Sequence, residues 1–267
     1  MTRSAHRPRR RLRTAGAAAA VLLALGGCSA SGADTSGSVG DGPSGTVTVF
    51  AAASLEEGFT TLGERFEKEH PGTTVTFSFG GSDTLAAGIS GGAPADVFAA
   101  ASTRTMKTVT DEGLTAGSPS TFVRNRLEIA TLPGNPRGIG SLRDLAAPGL
   151  KVVLCDRTVP CGAAAHTALT AAGVDLTPVS YEQDVKSALT KVALKEADAA
   201  VVYRTDVRAA GDRVEGVEFP ESAEAVNDYP IALLENAPNP TAAKAFVALV
   251  ESPEGRKVLT GAGFLAP

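Results

Sequence analysis

The distribution of hydrophobic and polar residues beyond position 45 alternates between two periods. Short apolar runs typical of buried strands are followed by longer segments in which apolar residues recur every three or four positions, as in amphipathic helices. The predicted strands are 47–52, 74–79, 95–100, 127–132, 151–155, 199–203 and 231–234. The predicted helices are 55–69, 83–89, 103–112, 162–172, 184–195, 241–250 and 253–260. This alternation predicts an α/β protein built from layers of parallel strands and helices.

The N-terminal segment has a different pattern. Six arginines precede an apolar stretch over residues 15–25 that is too short to span a bilayer, so residues 1–27 are predicted to be an export signal. The Leu25-Gly-Gly-Cys28 end resembles a bacterial lipobox, which implies a diacylated Cys28 that anchors the protein to the membrane. An ordinary cleaved signal with an incidental cysteine is the alternative. The arginine run leaves both general and twin-arginine export open.

Residues 28–45 are rich in Ser, Gly, Asp and Thr and contain almost no large apolar side chain. Such a segment buries too little surface to order itself, so it is predicted to be a flexible tether. The GxGxxG pattern of residues 40–45 is not interpreted as a nucleotide site, because it precedes a strand instead of following one.

The charge of the mature chain excludes one class of partner. Without the six signal arginines, 19 Lys and Arg face 29 Asp and Glu, which gives a net charge of −10. A nucleic acid is therefore not expected as a partner. A small anion remains possible, because a local array of neutral donors can act against the net charge.

Cys155 and Cys161 are the two cysteines left for the exported domain, and a disulfide between them is the default in an oxidising compartment. A metal pair is less favoured, because His70 and His166 are isolated in the sequence and no ligand spacing accompanies the cysteines. We therefore expect no direct site for a metal cation.

Candidate ligand-binding residues lie at several predicted strand-to-helix junctions. They are Ser54, Ser82, Cys161, Val185 and Tyr203. The first N–H groups of a helix have no partner within the helix and carry a partial positive charge, so helix starts that meet in a cleft form a site for a small anion. Each junction alone has a simpler interpretation: Ser54-x-x-Glu57 is a capping box, Ser82 follows a Gly-rich turn, and Tyr203 packs in the core.

The sequence lacks the residue patterns that catalysis would require. No histidine accompanies a candidate nucleophile, and the segment around Ser82 lacks the last glycine of the hydrolase GxSxG elbow. No carboxylate pair suited to acid–base chemistry is evident. We therefore predict a binding protein without catalytic residues.

The motifs also carry a family resemblance. The segments are Val47-Thr-Val-Phe-Ala-Ala-Ala-Ser-Leu55, Ser82-Asp-Thr-Leu-Ala86 with Gly92-Ala-Pro-Ala-Asp-Val-Phe98, Val159-Pro-Cys-Gly162, Glu182-Gln-Asp-Val185, Val202-Tyr-Arg-Thr-Asp206 and Gly263-Phe264. In order and spacing they resemble the periplasmic molybdate-binding proteins of ABC importers, over residues 46–267.

The resemblance implies a two-lobed periplasmic-binding-protein fold of type II, with lobe I formed by 46–122 and 228–267 and lobe II by 123–227. It implies a cleft that binds molybdate or tungstate through neutral donors, with no further cofactor. Hydroxyl and backbone N–H groups of Ser54 and Ser82, backbone N–H groups of Cys161 and Val185, and the hydroxyl of Tyr203 would be the donors. Better-known members have alanine at the position of Cys161. The implied partners are a membrane permease and its ATPase, and the receptor is expected to be a monomer.

Three alternatives stay open at this stage. The first keeps the class and changes the ligand to sulfate or another tetrahedral oxyanion. The second is a secreted hydrolase that uses Ser54 or Ser82, which lacks a histidine partner. The third is an adhesive or structural surface lipoprotein, in which the donors at the helix starts would be coincidental.

Overall fold

The computed structural model describes residues 42–267, so the predicted signal, the Cys28 anchor and most of the tether lie outside the described residues. The strands are β1 Gly45–Ala52, β2 Thr73–Gly80, β3 Val97–Ala99, β4 Ser120–Asn125, β5 Leu127–Thr131, β6 Val152–Cys155, β7 Ser180–Glu182, β8 Ala199–Tyr203, β9 Glu215–Val217 and β10 Asn227–Leu233. The helices are α1 Glu56–Glu69, α2 Ser82–Ser90, α3 Thr103–Asp111, α4 Pro160–Ala171, α5 Val185–Ala193, α6 Arg204–Ala210, α7 Pro240–Glu251 and α8 Pro253–Gly261. Four short 3₁₀ turns complete the described part of the chain.

The strands form two five-stranded sheets. The first has the order β2-β1-β3-β10-β4 and the second the order β7-β6-β8-β5-β9. We call each sheet with the helices packed on it a lobe. A core of α1, α7 and α8 side chains covers one face of the first sheet, α2 and α3 cover the other, and α4 and α5 pack on the second sheet.

The chain crosses between the two sheets at two places. Arg126 alone separates β4 of the first sheet from β5 of the second, a few residues beyond the predicted boundary at 122/123. The return lies between β9 and β10. The two crossing strands β4 and β10 pair side by side, and Asn125 and Asn227 are cross-strand partners at the end of their ladder.

The predicted parallel arrangement is wrong for part of each sheet. β10 runs antiparallel to β3 and β4, and β5 runs antiparallel to β8 and β9. The reason is topological, because a strand that enters a sheet from the other lobe needs no crossover helix and can run in either direction. The remaining pairs, including β1 with β2 and β6 with β8, are parallel.

Local sequence signals explain several helix boundaries. The apolar face predicted for α1 is buried through Phe59, Leu62 and Phe66. Asn239 and Ser252 cap α7 and α8 through their side chains, and each helix has proline as its first residue. Helix α6 was not predicted, because it is only seven residues long and its sequence shows no clear apolar period.

Within residues 42–267, no helix combines the length and the apolar character needed to cross a lipid bilayer.

Candidate functional site

One narrow cleft between the two lobes brings the sequence-predicted residues together. Ser54, Ser82, Cys161, Val185 and Tyr203 all line it. The remaining lining residues are small or are helix-flanking: Ala52, Ala53, Gly80, Gly81, Ala101, Val159, Pro160 and Asp184. The cleft is tight, with a cavity volume of only about 10 Å³. The lobes are therefore close together around these residues.

Ser82 is the first residue of α2, directly after the Gly80–Gly81 turn. The predicted helix start at residue 83 is therefore one residue late, whereas the position of Ser82 after a Gly-rich turn is as predicted. The buried Ser82 hydroxyl oxygen accepts a hydrogen bond from the Ala101 N–H at 3.0 Å. Since this contact uses the oxygen as an acceptor, the hydroxyl hydrogen is left to donate to another group.

Ser54 lies in the 3₁₀ turn Ala53–Leu55, which precedes α1. The predicted capping box is wrong, because α1 follows Leu55 and no side chain caps it. The Ser54 hydroxyl instead forms a 2.8 Å hydrogen bond with the hydroxyl of Tyr229, a residue that the sequence analysis missed. Glu57, the other half of the supposed box, pairs with Lys186 of the opposite lobe.

The second lobe contributes two helix starts. Cys161 is the second residue of α4 and Val185 is the first residue of α5. Both positions lie in the first turn, where backbone N–H groups have no acceptor within the helix. Their N–H groups can therefore serve a ligand whatever side chain they carry, and the Cys161 side chain is engaged in a disulfide bond with Cys155.

Tyr203 ends β8 and precedes α6, with its ring buried. Its hydroxyl oxygen is 3.0 Å from the side-chain Nδ2 of Asn227. Burial is the main cause that raises the pKa of Tyr203 well above its usual value. The neighbouring Tyr229 and Asp206 raise this pKa further. The phenol therefore stays protonated and neutral over the whole physiological pH range, and it is available as a donor.

The cleft lining has almost no charged side chains, so its electrostatic field comes mainly from backbone and hydroxyl dipoles. Asp184 is the one charged residue among its lining, and its carboxylate caps α5 by accepting from the Ser187 N–H at 2.8 Å and the Ser187 hydroxyl at 2.9 Å. Asp83, the residue after Ser82, is half-buried and does not line the cleft. The arrangement thus offers hydroxyl and N–H donors from several helix starts, which suits an acceptor-only anion.

The sequence of this chain is similar to those of known binding proteins. Residues 47–265 match the family model described as bacterial extracellular solute-binding protein. The molybdate-binding protein ModA of Mycobacterium tuberculosis is 45% identical over 222 residues, which cover 83% of this chain and 85% of the relative. The chain belongs to the bacterial extracellular solute-binding proteins. Its family is therefore one of binding proteins, in agreement with the motifs that indicated a ligand site.

Solved structures agree with this family assignment. The solute-binding protein shares its fold with the periplasmic molybdate-binding protein of Azotobacter vinelandii, at a TM-score of 0.73, 21% identity and coverage of 83% and 99% of the two chains. The substrate-binding domain of a putative molybdenum ABC transporter from Clostridium difficile gives a TM-score of 0.63 at 27% identity, covering 84% and 100%. The predicted two-lobed α/β periplasmic-binding fold is confirmed.

Several residues around the cleft of the solute-binding protein escaped the sequence analysis. They are Asn125, Tyr229 and Asn227, which contact the cleft hydroxyls or their partners, and Lys186 and Asp206, which form a charged pair nearby. Asp206 ends one of the family motifs but was given no role there. The spacing of the others carries no motif, because they come from the crossing strands and from the first turn of α5. Among residues 42–267, no group of three or more His, Cys, Asp or Glu side chains is arranged to hold a metal ion.

Proposed function

We propose that this protein is the substrate-binding component of an ABC importer and captures molybdate, and also tungstate, in the cleft between its lobes. The observation that carries the proposal is the convergence of Ser54, Ser82, Cys161, Val185 and Tyr203 on one cleft with neutral donors. The 45% identical Mycobacterium relative, which is named as a molybdate-binding protein, supports the choice of anion.

The donor chemistry favours a fully deprotonated tetrahedral anion. Such a dianion only accepts hydrogen bonds, so every group that faces it must donate. Hydrogen bonds to a charged group contribute about 1.5–3 kcal/mol each, so a few well-aimed neutral donors suffice without an arginine or lysine. Protonated phosphate also donates and requires an acceptor, whereas the one carboxylate of the cleft lining, Asp184, is committed to capping α5.

Closure of the lobes around the anion gives the receptor two states for its membrane partners. The two crossing strands β4 and β10 form the hinge, and ligand contacts from both lobes stabilise the closed form. A permease with its ATPase receives the anion from this closed form. The protein acts as a monomer, because each chain supplies both halves of the cleft.

Lipidation of Cys28 would keep the receptor at the outer face of the cell membrane, with residues 28–45 as the tether. The support is the signal-like composition of residues 1–27, which end at that cysteine. Mass spectrometry of the membrane fraction is expected to show a diacylated N-terminal Cys28, and Cys28→Ser is expected to abolish membrane attachment. An unmodified protein in the soluble extracytoplasmic fraction would contradict the anchor and leave the binding function untouched.

A melting screen of the purified protein against four oxyanions tests the ligand. Because a ligand that binds only the native state raises its stability with the ratio of concentration to Kd, molybdate and tungstate are expected to raise Tm strongly, sulfate weakly and phosphate not at all. Titration calorimetry with Ser82→Ala and Tyr203→Phe then tests the site, with about tenfold or greater weakening expected for each lost donor. Unchanged melting with all four anions would overturn the proposal, and a sulfate response above that of molybdate would replace its ligand.

A further inference from the structure

We infer that Asn125 and Asn227, the paired asparagines of the two crossing strands, are positioning residues that turn the hydroxyl hydrogens of Ser54 and Tyr203 into the cleft. The inference rests on the proposed function, because it explains how hydroxyl groups, which can donate or accept, are made to donate. Neither asparagine lines the cleft.

The orientation of the Asn227 amide follows from a carbonyl group. Asn227 Nδ2 is 2.6 Å from the Ala101 carbonyl oxygen, which can only accept, so the nitrogen and not the amide oxygen faces it. The same nitrogen is 3.0 Å from the Tyr203 hydroxyl oxygen. Tyr203 therefore has to accept this bond, and its own hydrogen is left for another acceptor. The candidates are the neighbouring Tyr229 hydroxyl and an anion in the cleft that Tyr203 lines.

The Asn125 amide is oriented by a backbone donor. The Arg126 N–H donates to Asn125 Oδ1 at 3.0 Å, which leaves Nδ2 facing the Thr205 hydroxyl at 2.9 Å and the Tyr229 hydroxyl at 3.3 Å. Both hydroxyl oxygens accept from this nitrogen, since an amide NH₂ group has two hydrogens and no acceptor.

The Tyr229 hydroxyl passes this orientation on to Ser54. In the arrangement we infer, the Tyr229 oxygen accepts from Asn125 and its hydrogen is donated to the Ser54 oxygen, 2.8 Å away. Burial raises the pKa of Tyr229, so its hydroxyl keeps that hydrogen. Ser54 then has its own hydrogen free for the anion. Tyr229 is fully buried and does not line the cleft, so it acts on the ligand through Ser54.

The side-chain amides of Asn125 and Asn227 also link the two lobes through hydrogen bonds. Asn227 connects the Ala101 carbonyl of the first lobe to Tyr203 of the second, and the Ala101 N–H in turn donates to the Ser82 hydroxyl. Asn125 connects Tyr229 of the first lobe to Thr205 of the second. All three cleft hydroxyls thus accept from a fixed group, directly or through one further hydroxyl, and the anion receives their hydrogens.

The test is a double-mutant cycle measured by calorimetry with molybdate. Asn227→Asp keeps the shape of the side chain and turns the donor into an acceptor that captures the Tyr203 hydrogen. It also adds a negative charge, which Tyr203→Phe does not remove. The penalty of Asn227→Asp is therefore expected to be about tenfold larger with Tyr203 present than in the Tyr203→Phe background. In that background the charge effect and the lost bond to the Ala101 carbonyl remain.

A second cycle pairs Asn125→Asp with Tyr229→Phe and predicts the same non-additivity. Tyr229→Phe alone is expected to weaken molybdate binding several-fold, although the ring has no contact with the cleft. Asn227→Leu, which removes the donor without adding charge, replaces the aspartate variant if the latter does not fold, as judged by its melting curve.

The outcomes separate this inference from the proposed function. If the wild-type protein binds molybdate and each asparagine variant loses the same factor in both backgrounds, the orienting role is overturned and the receptor function stands. If the wild-type protein binds no oxyanion, the proposed function fails and the orienting role fails with it. Equal penalties would assign the asparagines a structural role at the hinge.

Discussion

Lys186 of α5 and Glu57 of α1 form an ion pair that joins the two lobes beside the cleft. Lys186 also lies 3.6 Å from the fully buried carboxylate of Asp206 in its own lobe. One ammonium group therefore serves both an interlobe contact and a buried acid. Since the contact with Glu57 exists only while the lobes are close, it stabilises the closed form.

Substitution of Lys186 is expected to destabilise the closed form. Lys186→Met should weaken molybdate binding by about fivefold, because a partly exposed ion pair contributes at most about 1 kcal/mol. The loss should appear in the dissociation rate, measured by stopped flow. Lys191→Met is the matched control: it removes the same charge from the same helix, but Lys191 pairs with Glu196 of its own lobe. Equal effects of the two variants would attribute the loss to long-range charge alone.

The approach of the lobes at Gly81 leads to a steric prediction. A Cβ atom at Gly81 would lie 2.5 Å from the Gln183 carbonyl oxygen of the opposite lobe, whereas one at Gly80 would meet nothing closer than 3.9 Å. Gly81→Ala is expected to weaken molybdate binding by about fivefold or more, since overpacking costs about 1–3 kcal/mol. The ligand-free Tm should change little, because opening of the lobes relieves the clash with Gln183. The other close atom, Asp83 Oδ1 at 2.8 Å in the same lobe, is the end of a side chain that can turn away.

Gly80→Ala is the control for this prediction and should bind molybdate as the wild type does. Calorimetry on the two alanine variants checks both expectations. Equal affinities for Gly80→Ala and Gly81→Ala would show that closure does not bring Gln183 against this turn in solution.

The buried Asp206 predicts a pH dependence of stability. Burial raises its pKa from 3.8 to about 7, with Lys186 opposing the shift and Glu57 adding to it. Because the folded state holds this proton more tightly than the unfolded state, the stabilising contribution is complete below about pH 4 and is lost as the pH rises through about 7. The free energy of unfolding contributed by this group therefore falls between these values.

Asp206→Asn should flatten that part of the stability profile. The amide oxygen of the variant can still accept from the Tyr203 N–H, which Asp206 binds at 3.1 Å in the wild type. Urea unfolding at several pH values between 4 and 8 measures the slope. A smaller slope is expected to persist, because burial also raises the pKa of Glu128. An identical profile for variant and wild type would contradict the shifted pKa of Asp206.

The disulfide between Cys155 and Cys161 closes a short loop at the start of α4. Closing a loop of this length contributes about 2 kcal/mol by the chain-entropy relation, so Cys155→Ser with Cys161→Ser should lower Tm by several degrees. Since the loop also holds the Cys161 N–H in place, molybdate binding should weaken modestly as well. Melting and calorimetry with the oxidised protein, the reduced protein and the double variant check this; a Tm that is insensitive to reduction would contradict it.

The strands and helices that carry the first lobe's donors could be predicted from the sequence, because Ser54 and Ser82 follow long apolar runs that end at a change of period. The donors of Cys161 and Val185 are backbone groups and leave no trace in residue type. The predicted helix starts made both positions candidates, but only the family resemblance assigned their N–H groups to the ligand. The direction of β5 and β10 depends on how the chain crosses between the lobes, which periodicity does not encode.

The positions of Asn125, Asn227 and Tyr229 could not be predicted for a similar reason. Each contacts a hydroxyl or a carbonyl that is far away in the sequence, and an isolated asparagine in a strand has no spacing that distinguishes it. At Ser54 a local pattern led to a wrong prediction. The residues of a capping box are present, but the Ser54 hydroxyl binds the hydroxyl of Tyr229, 175 positions away, and does not cap the helix.

The pairing of β4 with β10 up to Asn125 and Asn227 brings the two connections between the lobes side by side. The ladder belongs to the first sheet, so both connections leave that lobe as neighbours. Neighbouring connections favour bending about one axis over rotation about several. We therefore expect one dominant opening path, along which an arriving anion meets the two halves of its donor set in a fixed relative orientation.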